Sequence, residues 1–376
     1  MEPIVPQPSD RDPRHFVGRR ATTERARERL SAGASLLLSD PRRMGKTFWM
    51  RTFAAREQGF RCYHLDYEGV GTVPDFLTKT AQTLAQQQSL PDKAKSVFQT
   101  IFEHVDSVDF APLSIRVIHR QTSPHRLLTE VLASLDATDD ARIPLVLMDE
   151  VPMAVDNIAR RDPRAADELL QTLRALRQST TRTRWVVGGS IGFHHVLRRA
   201  GARPGHLGDL EPLPLGPLPD DEARELAHRL LLGIGCQPTG DVVEALVEVA
   251  GGIPFLLHTV VSALSQRTDM SANGVRECFE DLIDEGAVAW FDDFERRVKP
   301  YYGEHSDLAM KVLDTVVTRS HDWVSIDLLP DRKETLMIVD DLVRDHYLEQ
   351  RGRSLRWRYP ALQYIWARRR RLWDRP

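Results

Sequence analysis

Short apolar runs alternate with longer amphipathic stretches through roughly the first half of the chain. The runs are typical of strands in a parallel sheet, and they lie at residues 36–38, 60–66, 143–150 and 184–190. Apolar positions at helical spacing predict helices between them, at residues 73–88, 92–104, 123–135 and 165–179. Residues 106–124 are ambiguous, although alternation at 114–119 favours a short strand. This succession predicts an α/β fold, a parallel sheet sandwiched by helices.

The pattern changes after a segment rich in proline and leucine at residues 210–219, which we interpret as a linker that ends the first domain. Helical periodicity then predominates, at residues 220–232, 239–249, 254–266 and 271–297. Two more helices are predicted at 308–317 and 333–345. Alternation at 347–350 and 355–359, with Gly352 between them, predicts a β-hairpin before a closing helix at 360–371. Helices followed by a hairpin predict a small winged helix.

Candidate chemistry appears where the first strand ends, in the segment from Ser39 to Thr47. Its tail, Gly45-Lys46-Thr47, is the end of a phosphate-binding P-loop, in which backbone N–H groups and the helix N-terminus cradle phosphates. Lys46 would reach the outer phosphates, and the hydroxyl of Thr47 would bind Mg²⁺. The candidate nucleotide-binding residues of this loop are Arg42, Arg43, Met44, Gly45, Lys46, Thr47 and Phe48.

Asp40 stands where the full P-loop pattern begins with glycine. Aspartate tolerates a left-handed backbone better than most residues, so the turn can be kept. A carboxylate beside a triphosphate is nevertheless unfavourable unless it points away. One alternative is therefore a nucleotide-binding scaffold that hydrolyses little.

A second candidate lies at residues 145–150, where an apolar strand ends in Asp149 and Glu150. In a P-loop protein the first acid orients Mg²⁺ and the second polarises the attacking water; the alternative is a buried strand with a polar end. Ser190 ends another strand and could donate a hydrogen bond to the γ-phosphate or the water, or simply cap a glycine-rich turn. Ligands of open α/β sheets bind where strands end, which is where these residues lie.

Arginines cluster around the strand at 184–190, and any one of them could stabilise charge in phosphoryl transfer. They are Arg182, Arg184, Arg198, Arg199 and Arg203. The sequence does not single out one of them.

Taken together, these segments resemble the STAND and AAA-like P-loop ATPases, especially the archaeal-type (MNS-like) ATPases. The matching segments are Phe16-Val17-Gly18-Arg19, Pro41 to Thr47, Leu145 to Glu150, Gly189-Ser190 and Gly251-Gly252-Ile253-Pro254. The resemblance implies Lys46 on the phosphates, Thr47 and Asp149 on Mg²⁺, Glu150 as catalytic base and Ser190 as sensor. It also implies that Val17 and Gly18 form an adenine-edge box, and that Gly252 and Pro254 approach the nucleotide from a lid.

The resemblance further implies a P-loop NTPase fold followed by a helical lid and a C-terminal winged helix. We therefore predict a disordered or loosely packed N-terminus at 1–14, a P-loop ATPase domain at 15–215, a helical lid at 216–300 and a winged-helix-like domain at 301–376. The length of 376 residues suits two or three domains.

Composition indicates a cytoplasmic protein. Its three cysteines are far apart without a CxxC pair, which suits a reducing compartment and argues against a disulfide framework or zinc site. The proline-rich, charged N-terminus has no apolar segment, so we expect no signal peptide. No apolar run is long enough to span a bilayer, so we expect no membrane partner.

Charge bears on possible partners. The formal net charge of -3 does not indicate a nucleic-acid ligand, but residues 351–376 carry nine arginines against one acid. These arginines could bind double-stranded DNA, or they could form contacts with acidic lid residues such as Asp281, Asp284 and Glu285.

The sequence thus predicts an Mg²⁺-dependent ATPase switch whose nucleotide state controls domain closure and assembly with itself or a protein client. The resemblance places such a switch in prokaryotic defence or mobile-element systems. The alternative is an ATP-dependent DNA loader that resembles origin-recognition or transposition ATPases.

Overall fold

The computed structural model describes residues 1–9, 12–85, 124–137, 141–190, 192–285, 298–319, 323–330 and 332–372. The helix predicted at 92–104, the strand at 114–119, the first residue of the helix at 123–135 and the end of the helix at 271–297 lie outside these ranges. Contacts divide the chain into two compact units. The first comprises Met1–Arg19, Arg43–Gly45 and Leu215–Pro376, and the second comprises Arg20–Arg42 and Lys46–Pro214.

A five-stranded parallel sheet forms the centre of the second unit, with strand order β2-β3-β4-β1-β5. The strands are β1 (Ser35–Leu38), β2 (Phe60–Asp66), β3 (Ile143–Asp149), β4 (Arg184–Gly188) and β5 (Leu210–Pro212). β3 is buried from its second residue onward, as its continuous apolar run predicts. The predicted α/β fold with a parallel sheet is therefore confirmed.

Helices flank this sheet in the second unit. They are α1 (Arg20–Ser31), α2 (Lys46–Arg56), α3 (Val73–Ala85), α4 (Pro124–Ser134), α5 (Val151–Ala159), α6 (Pro163–Ser179) and α7 (Phe193–Ala200). α6 begins at a proline after Asp162, whose carboxylate accepts a hydrogen bond from the N–H of Ala165.

The interpretation of residues 210–219 entirely as a linker is wrong at its beginning. β5 pairs in parallel with β1, with Leu36 opposite Glu211 and Leu37 opposite Pro212. β5 is an edge strand, where proline is tolerated because one side of the strand needs no donor. A strand of three residues that includes a proline carries too little periodicity to be recognised from sequence.

The first unit is mainly helical. Its helices are α8 (Asp220–Gly233), α9 (Gly240–Ala250), α10 (Pro254–Leu264), α11 (Ala272–Asp284), α12 (Ser306–Arg319), α13 (Thr335–Arg344) and α14 (Pro360–Arg369). One continuous apolar core runs through these helices, from Leu226 in α8 to Ile365 in α14.

A small antiparallel sheet completes the first unit, with strand order β6-β8-β7. Its strands are β6 (Val324–Ser325), β7 (Leu348–Arg351) and β8 (Ser354–Trp357). β7 and β8 form the predicted hairpin, and Gly352 in its turn has a φ of 59°, which favours glycine. β6 is only two residues long and was not predicted.

The N-terminus, expected to be disordered or loosely packed at residues 1–14, contributes one side chain to the helical core. Ile4 is fully buried in the helical core, and its N–H donates to the carbonyl of Arg229. Gly233 makes room for this segment, because a Cβ there would lie 1.9 Å from the carbonyl oxygen of Ile4. Ile4 and hydrogen bonds of the backbone at Glu2, Ile4 and Gln7 thus attach a proline-rich, charged segment to the helices.

Candidate functional site

The loop between β1 and α2 contains two residues with a left-handed backbone conformation. Arg43 and Gly45 have φ values of 72° and 86°, in the left-handed region. A Cβ on Gly45 would meet no atom within 4 Å, so the backbone conformation rather than space favours glycine here. α2 begins at Lys46, which directs the free N–H groups of its first turn at the loop.

Lys46 is nearly buried and its ammonium group donates to two carbonyls of the same loop, those of Asp40 at 2.5 Å and Pro41 at 2.7 Å. These bonds hold the positive charge over the loop, where an anion cradled by the loop would meet it. The long side chain needs only rotations about its own bonds to exchange a carbonyl partner for a phosphate oxygen.

Asp40 fits the loop differently from the sequence-based interpretation. It is fully buried, and its backbone is not in the left-handed conformation, because its φ is not positive. The position therefore does not require glycine for its backbone, and tolerance of a left-handed conformation is not what permits aspartate.

Asp149, at the carboxyl end of β3, is buried, with 1% of its surface exposed. Burial raises the pKa of Asp149 above its ordinary value, while a hydrogen bond from the Thr47 hydroxyl and the charge of Lys46 oppose that shift. The structure therefore brings Lys46, Thr47 and Asp149 together within one site, although about one hundred residues separate them in sequence.

Asp66 is a member of this site that was not among the predicted site residues. It ends β2 directly opposite Asp149 in the register, and its negative charge contributes to the raised pKa of Asp149. One oxygen of its carboxylate accepts a hydrogen bond from the N–H of Glu68. The signal that could have found it was a second strand that ends in an acid, because parallel strands end at the same edge of a sheet.

Glu150 and Ser190 form a second pair beside this site. Oε2 of Glu150 accepts hydrogen bonds from the Ser190 hydroxyl at 3.1 Å and from the Ser190 N–H at 3.4 Å. Glu150 has a φ of 54°, an uncommon conformation for a residue with a side chain, and it immediately precedes α5. Strain of this kind persists when surrounding contacts fix it, and Ser190 is one such contact.

The two glycines before Ser190 lie close to side chains of the neighbouring helices. A Cβ on Gly189 would lie 2.3 Å from Cδ of Pro152 in the first turn of α5. A Cβ on Gly188 would lie 2.2 Å from Cε of Met50 in α2. The end of β4 can therefore approach α5 this closely only because Gly189 has no side chain, and this approach places Ser190 at the carboxylate of Glu150.

The remaining candidate nucleotide-binding residues lie in the first unit. Val17 and Gly18 precede Arg19, whose N–H donates to Oε2 of Glu222 in α8. Gly252 has a φ of 70°, and its carbonyl accepts from the N–H of Leu218 at 2.7 Å. Pro254 follows at the first position of α10, the position that proline favours.

The first turn of α10 also contacts Arg43. The guanidinium carbon of Arg43 lies 4.7 Å from the centre of the Phe255 ring, within the range of a cation–π interaction. Arg43, Met44 and Gly45 group with the first unit, whereas Arg42, Lys46, Thr47 and Phe48 group with the second.

Two of the arginines near β4, Arg199 and Arg184, have side-chain partners within the second unit. Arg199 forms an ion pair with the buried Asp156 at 3.0 Å, and Arg184 donates to the carbonyl of Thr181. The N–H of Arg182 donates to Asp136. These contacts assign no arginine to phosphoryl transfer.

Several arginines near the C-terminus are paired with acids inside the first unit. Arg368 lies 2.7 Å from Asp284 and 3.2 Å from Glu280, both in α11. Arg370 lies 2.8 Å from Asp314 in α12. These pairs match the alternative in which the basic segment contacts acidic helices; Asp284 is one of the acids that the sequence suggested.

No protein-family model matches the chain, and no curated protein matches it. Among solved structures, the Walker-type ATPase PABY2304 of Pyrococcus abyssi is similar at 17% identity and a TM-score of 0.65, covering 97% of this chain and 98% of that one. The ORC2 protein of Aeropyrum pernix, in ADPNP–ADP complexes, is similar at 14% identity and a TM-score of 0.56, covering 97% of each chain.

Within the described residues, no helix is both long enough and apolar enough to cross a membrane. The likeness to the solved ATPases extends over nearly the whole chain. Together with the parallel sheet and the loop between β1 and α2, it shows that this protein has the α/β fold of P-loop NTPases.

Proposed function

We propose that this protein binds ATP with Mg²⁺ and hydrolyses it. The observation that carries the proposal is the convergence of Lys46, Thr47 and Asp149 at the carboxyl edge of the sheet. Lys46 supplies a positive charge to the outer phosphates, and the N–H groups at the start of α2 supply donors. The similar ORC2 protein was solved with ADPNP and ADP, which supports an adenine nucleotide for a chain of this fold.

The residues present fit a magnesium ion. Thr47 and Asp149 offer a hydroxyl and a carboxylate, the oxygen ligands that Mg²⁺ prefers. The carboxylate is buried with a second acid, Asp66, directly opposite in the register, an arrangement that a divalent cation stabilises. When bound with nucleotide, Mg²⁺ would neutralise charge on the phosphates.

Glu150 is the proposed catalytic base. Its carboxylate follows Asp149 directly and is held by the hydroxyl and N–H of Ser190. A base fixed in this way can orient a water for attack on the γ-phosphate and accept its proton. Ser190, as the proposed sensor, would respond to the same water or to the phosphate.

We further propose that nucleotide state controls a switch, with Val17, Gly18, Gly252 and Pro254 completing the response in the first unit. The phosphate loop is continuous in sequence, yet Arg43–Gly45 group with the first unit and Lys46 with the second. In such a switch the protein is in equilibrium between two conformations. A phosphate ligand shifts that equilibrium only if it makes different contacts in the two conformations. We propose that this switch controls domain closure and assembly, either with further copies of the chain or with a protein client. The proposed setting is a prokaryotic defence or mobile-element system.

The test is the mass and nucleotide content of the purified protein with and without ATP and Mg²⁺, followed by measurement of phosphate release. We expect Mg²⁺-dependent ATP binding that Lys46→Ala abolishes and that Lys311→Ala, an exposed lysine of α12, leaves unchanged. Unchanged ATP affinity in Lys46→Ala would refute the site. Equal and negligible phosphate release by the wild type and Glu150→Gln would favour the scaffold that Asp40 suggested.

A second candidate function is ATP-dependent loading onto double-stranded DNA through a C-terminal winged helix. The hairpin of β7 and β8 and the exposed Arg351 beside its turn support it. The pairing of Arg368 and Arg370 with acids weighs against it. Binding of a DNA duplex at several salt concentrations decides: steep salt dependence supports the loader, and no binding at low salt removes it.

A further inference from the structure

The side chain of Arg19 joins two segments of the first unit that are distant in sequence. Its guanidinium group donates to the carbonyls of Leu215 and Pro217 and, at 2.9 Å, to the carbonyl of Met44. Only 4% of the residue is exposed. Arg19 thus ties the phosphate loop, through Met44, to the segment that leads into α8.

The backbone around Arg19 fixes the direction of this side chain. Arg19 has a φ of 62°, and its N–H donates to Oε2 of Glu222 at 2.6 Å. The preceding Gly18 has a φ of 79°, and a Cβ on it would lie 2.6 Å from the same oxygen. Two consecutive residues in the left-handed region persist only where surrounding contacts determine them.

The bond to Met44 also determines where one loop donor points. In a trans peptide unit the carbonyl and the following N–H lie in one plane and point in opposite directions. Because Arg19 holds the carbonyl of Met44 on its own side, the N–H of Gly45 is directed to the other side. Gly45 belongs to the Gly45-Lys46-Thr47 tail whose N–H groups are the proposed phosphate donors.

We propose that Arg19 is a positioning residue, which orients the N–H of Gly45 for a phosphate ligand and ties that orientation to the segment at 215–218. The proposal rests on the proposed nucleotide site and adds a residue to it. Arg19 does not touch the nucleotide in this role; it acts through the Met44 carbonyl. Arg43, the residue before Met44, has a contact of its own, because its guanidinium lies over the ring of Phe255.

The experiment compares Arg19→Met, which keeps the bulk of the stem without donors, with Arg19→Lys and with Arg25→Met, an exposed arginine of α1. Hydrogen exchange in the ligand-free protein is measured first. In Arg19→Met we expect exchange about tenfold faster or more, at both residues 44–47 and 215–218, since a lost bond to a charged group changes a local equilibrium by about that factor. Arg25→Met should exchange like the wild type.

ATP affinity with Mg²⁺ is measured next, well below the melting temperature of each variant. We expect Arg19→Met to bind about tenfold or more weakly, and Arg19→Lys, which keeps a charged donor, to recover part of the loss. If Arg19→Met does not fold, Arg19→Lys must still show faster exchange at both segments.

The outcomes separate this inference from the proposed function. Faster exchange at both segments together with weaker ATP binding supports the inference. Wild-type exchange at residues 44–47 in Arg19→Met, or a lower melting temperature with unchanged affinity, overturns it even when the wild type binds ATP. Absence of ATP binding by the wild type refutes the proposed function and with it the role of Arg19 toward phosphate.

Discussion

The hydroxyl of Ser190 lies 3.1 Å from a carboxylate oxygen of Glu150, although the two residues follow different strands. β3 and β4 are neighbours in the sheet, so the residues that follow them meet at the same edge. Glu150 is held in a left-handed conformation at the start of α5, and Gly189 packs against that helix without a side chain. The contact is therefore a consequence of how tightly β4 and α5 approach.

Ser190→Ala should slow ATP hydrolysis by roughly tenfold to a hundredfold, because a hydrogen bond to a charged group contributes about 1.5–3 kcal/mol. The carboxylate of Glu150 would lose the hydroxyl that orients it, while Lys46 and Thr47 are unchanged. We expect ATP affinity to stay near that of the wild type, measured by direct binding alongside phosphate release. Ser190→Thr, which restores a hydroxyl, is the control; an alanine variant as fast as the wild type contradicts the assignment.

Glu150→Gln should reduce the rate of phosphate release by about 10²–10⁴, the contribution typical of a positioned general base. The amide keeps the shape of the side chain and can still accept the Ser190 bond, so ATP binding should persist. Glu28→Gln, an exposed change in α1, should hydrolyse ATP like the wild type. If Glu150→Gln instead loses ATP binding, its slow phosphate release follows from that loss. Glu150 would then be assigned to ATP binding and not to catalysis.

The sequence predicted the central strands of the sheet and most of the described helices because their signals are local. β3 carries an unbroken apolar run, and α6 begins at an Asp–Pro pair that favours a helix start. The phosphate loop was found because its function requires particular residue types in order, and Gly45 does adopt a positive φ. These elements could be predicted from a few neighbouring residues.

Features that depend on contacts between residues far apart in sequence were missed or misinterpreted. β5 exists only because β1 offers a free edge, and Ile4 is buried only because Gly233 leaves space for its backbone. The sequence shows that the strand of Asp66 ends in an acid, but its place opposite Asp149 depends on which strands are neighbours in the sheet. Arg19 was noted as part of a motif, but its bonds to three carbonyls depend on the packing of segments far apart in sequence.

Gly189→Ala should destabilise the protein by about 1–3 kcal/mol, the usual cost of forcing atoms into a packed site. The new methyl group would lie 2.3 Å from the ring of Pro152, which belongs to a helix and cannot rotate away. Gly59→Ala is a matched control, because a Cβ there meets nothing within 4 Å and its φ is not in the left-handed region. Thermal unfolding of both variants should show a lower melting temperature for Gly189→Ala alone; equal temperatures would contradict the packing described.

Asp149→Asn should raise the melting temperature in the absence of divalent cations, even though it removes a proposed ligand of Mg²⁺. Burial raises the pKa of Asp149 above 3.8, so the folded protein binds this proton more tightly than the unfolded chain does. The stability that this group contributes is therefore fully present below pH 3.8 and is lost as the pH rises through the folded pKa. At neutral pH the raised pKa of Asp149 therefore costs stability, and an asparagine removes that cost while its amide oxygen can still accept from Thr47.

Melting temperatures in a chelator, measured from pH 4 to pH 8, test this expectation against Asp75→Asn, an exposed change in α3. The advantage of Asp149→Asn over the wild type should grow with pH, whereas Asp75→Asn should follow the wild type throughout. Addition of Mg²⁺ and ATP should stabilise the wild type and have little effect on Asp149→Asn, because a ligand stabilises a protein in proportion to its binding. The expectation is contradicted if, in the chelator at neutral pH, Asp149→Asn melts at a lower temperature than the wild type. That result would show that the hydrogen bonds of the carboxylate stabilise the folded protein by more than its burial destabilises it.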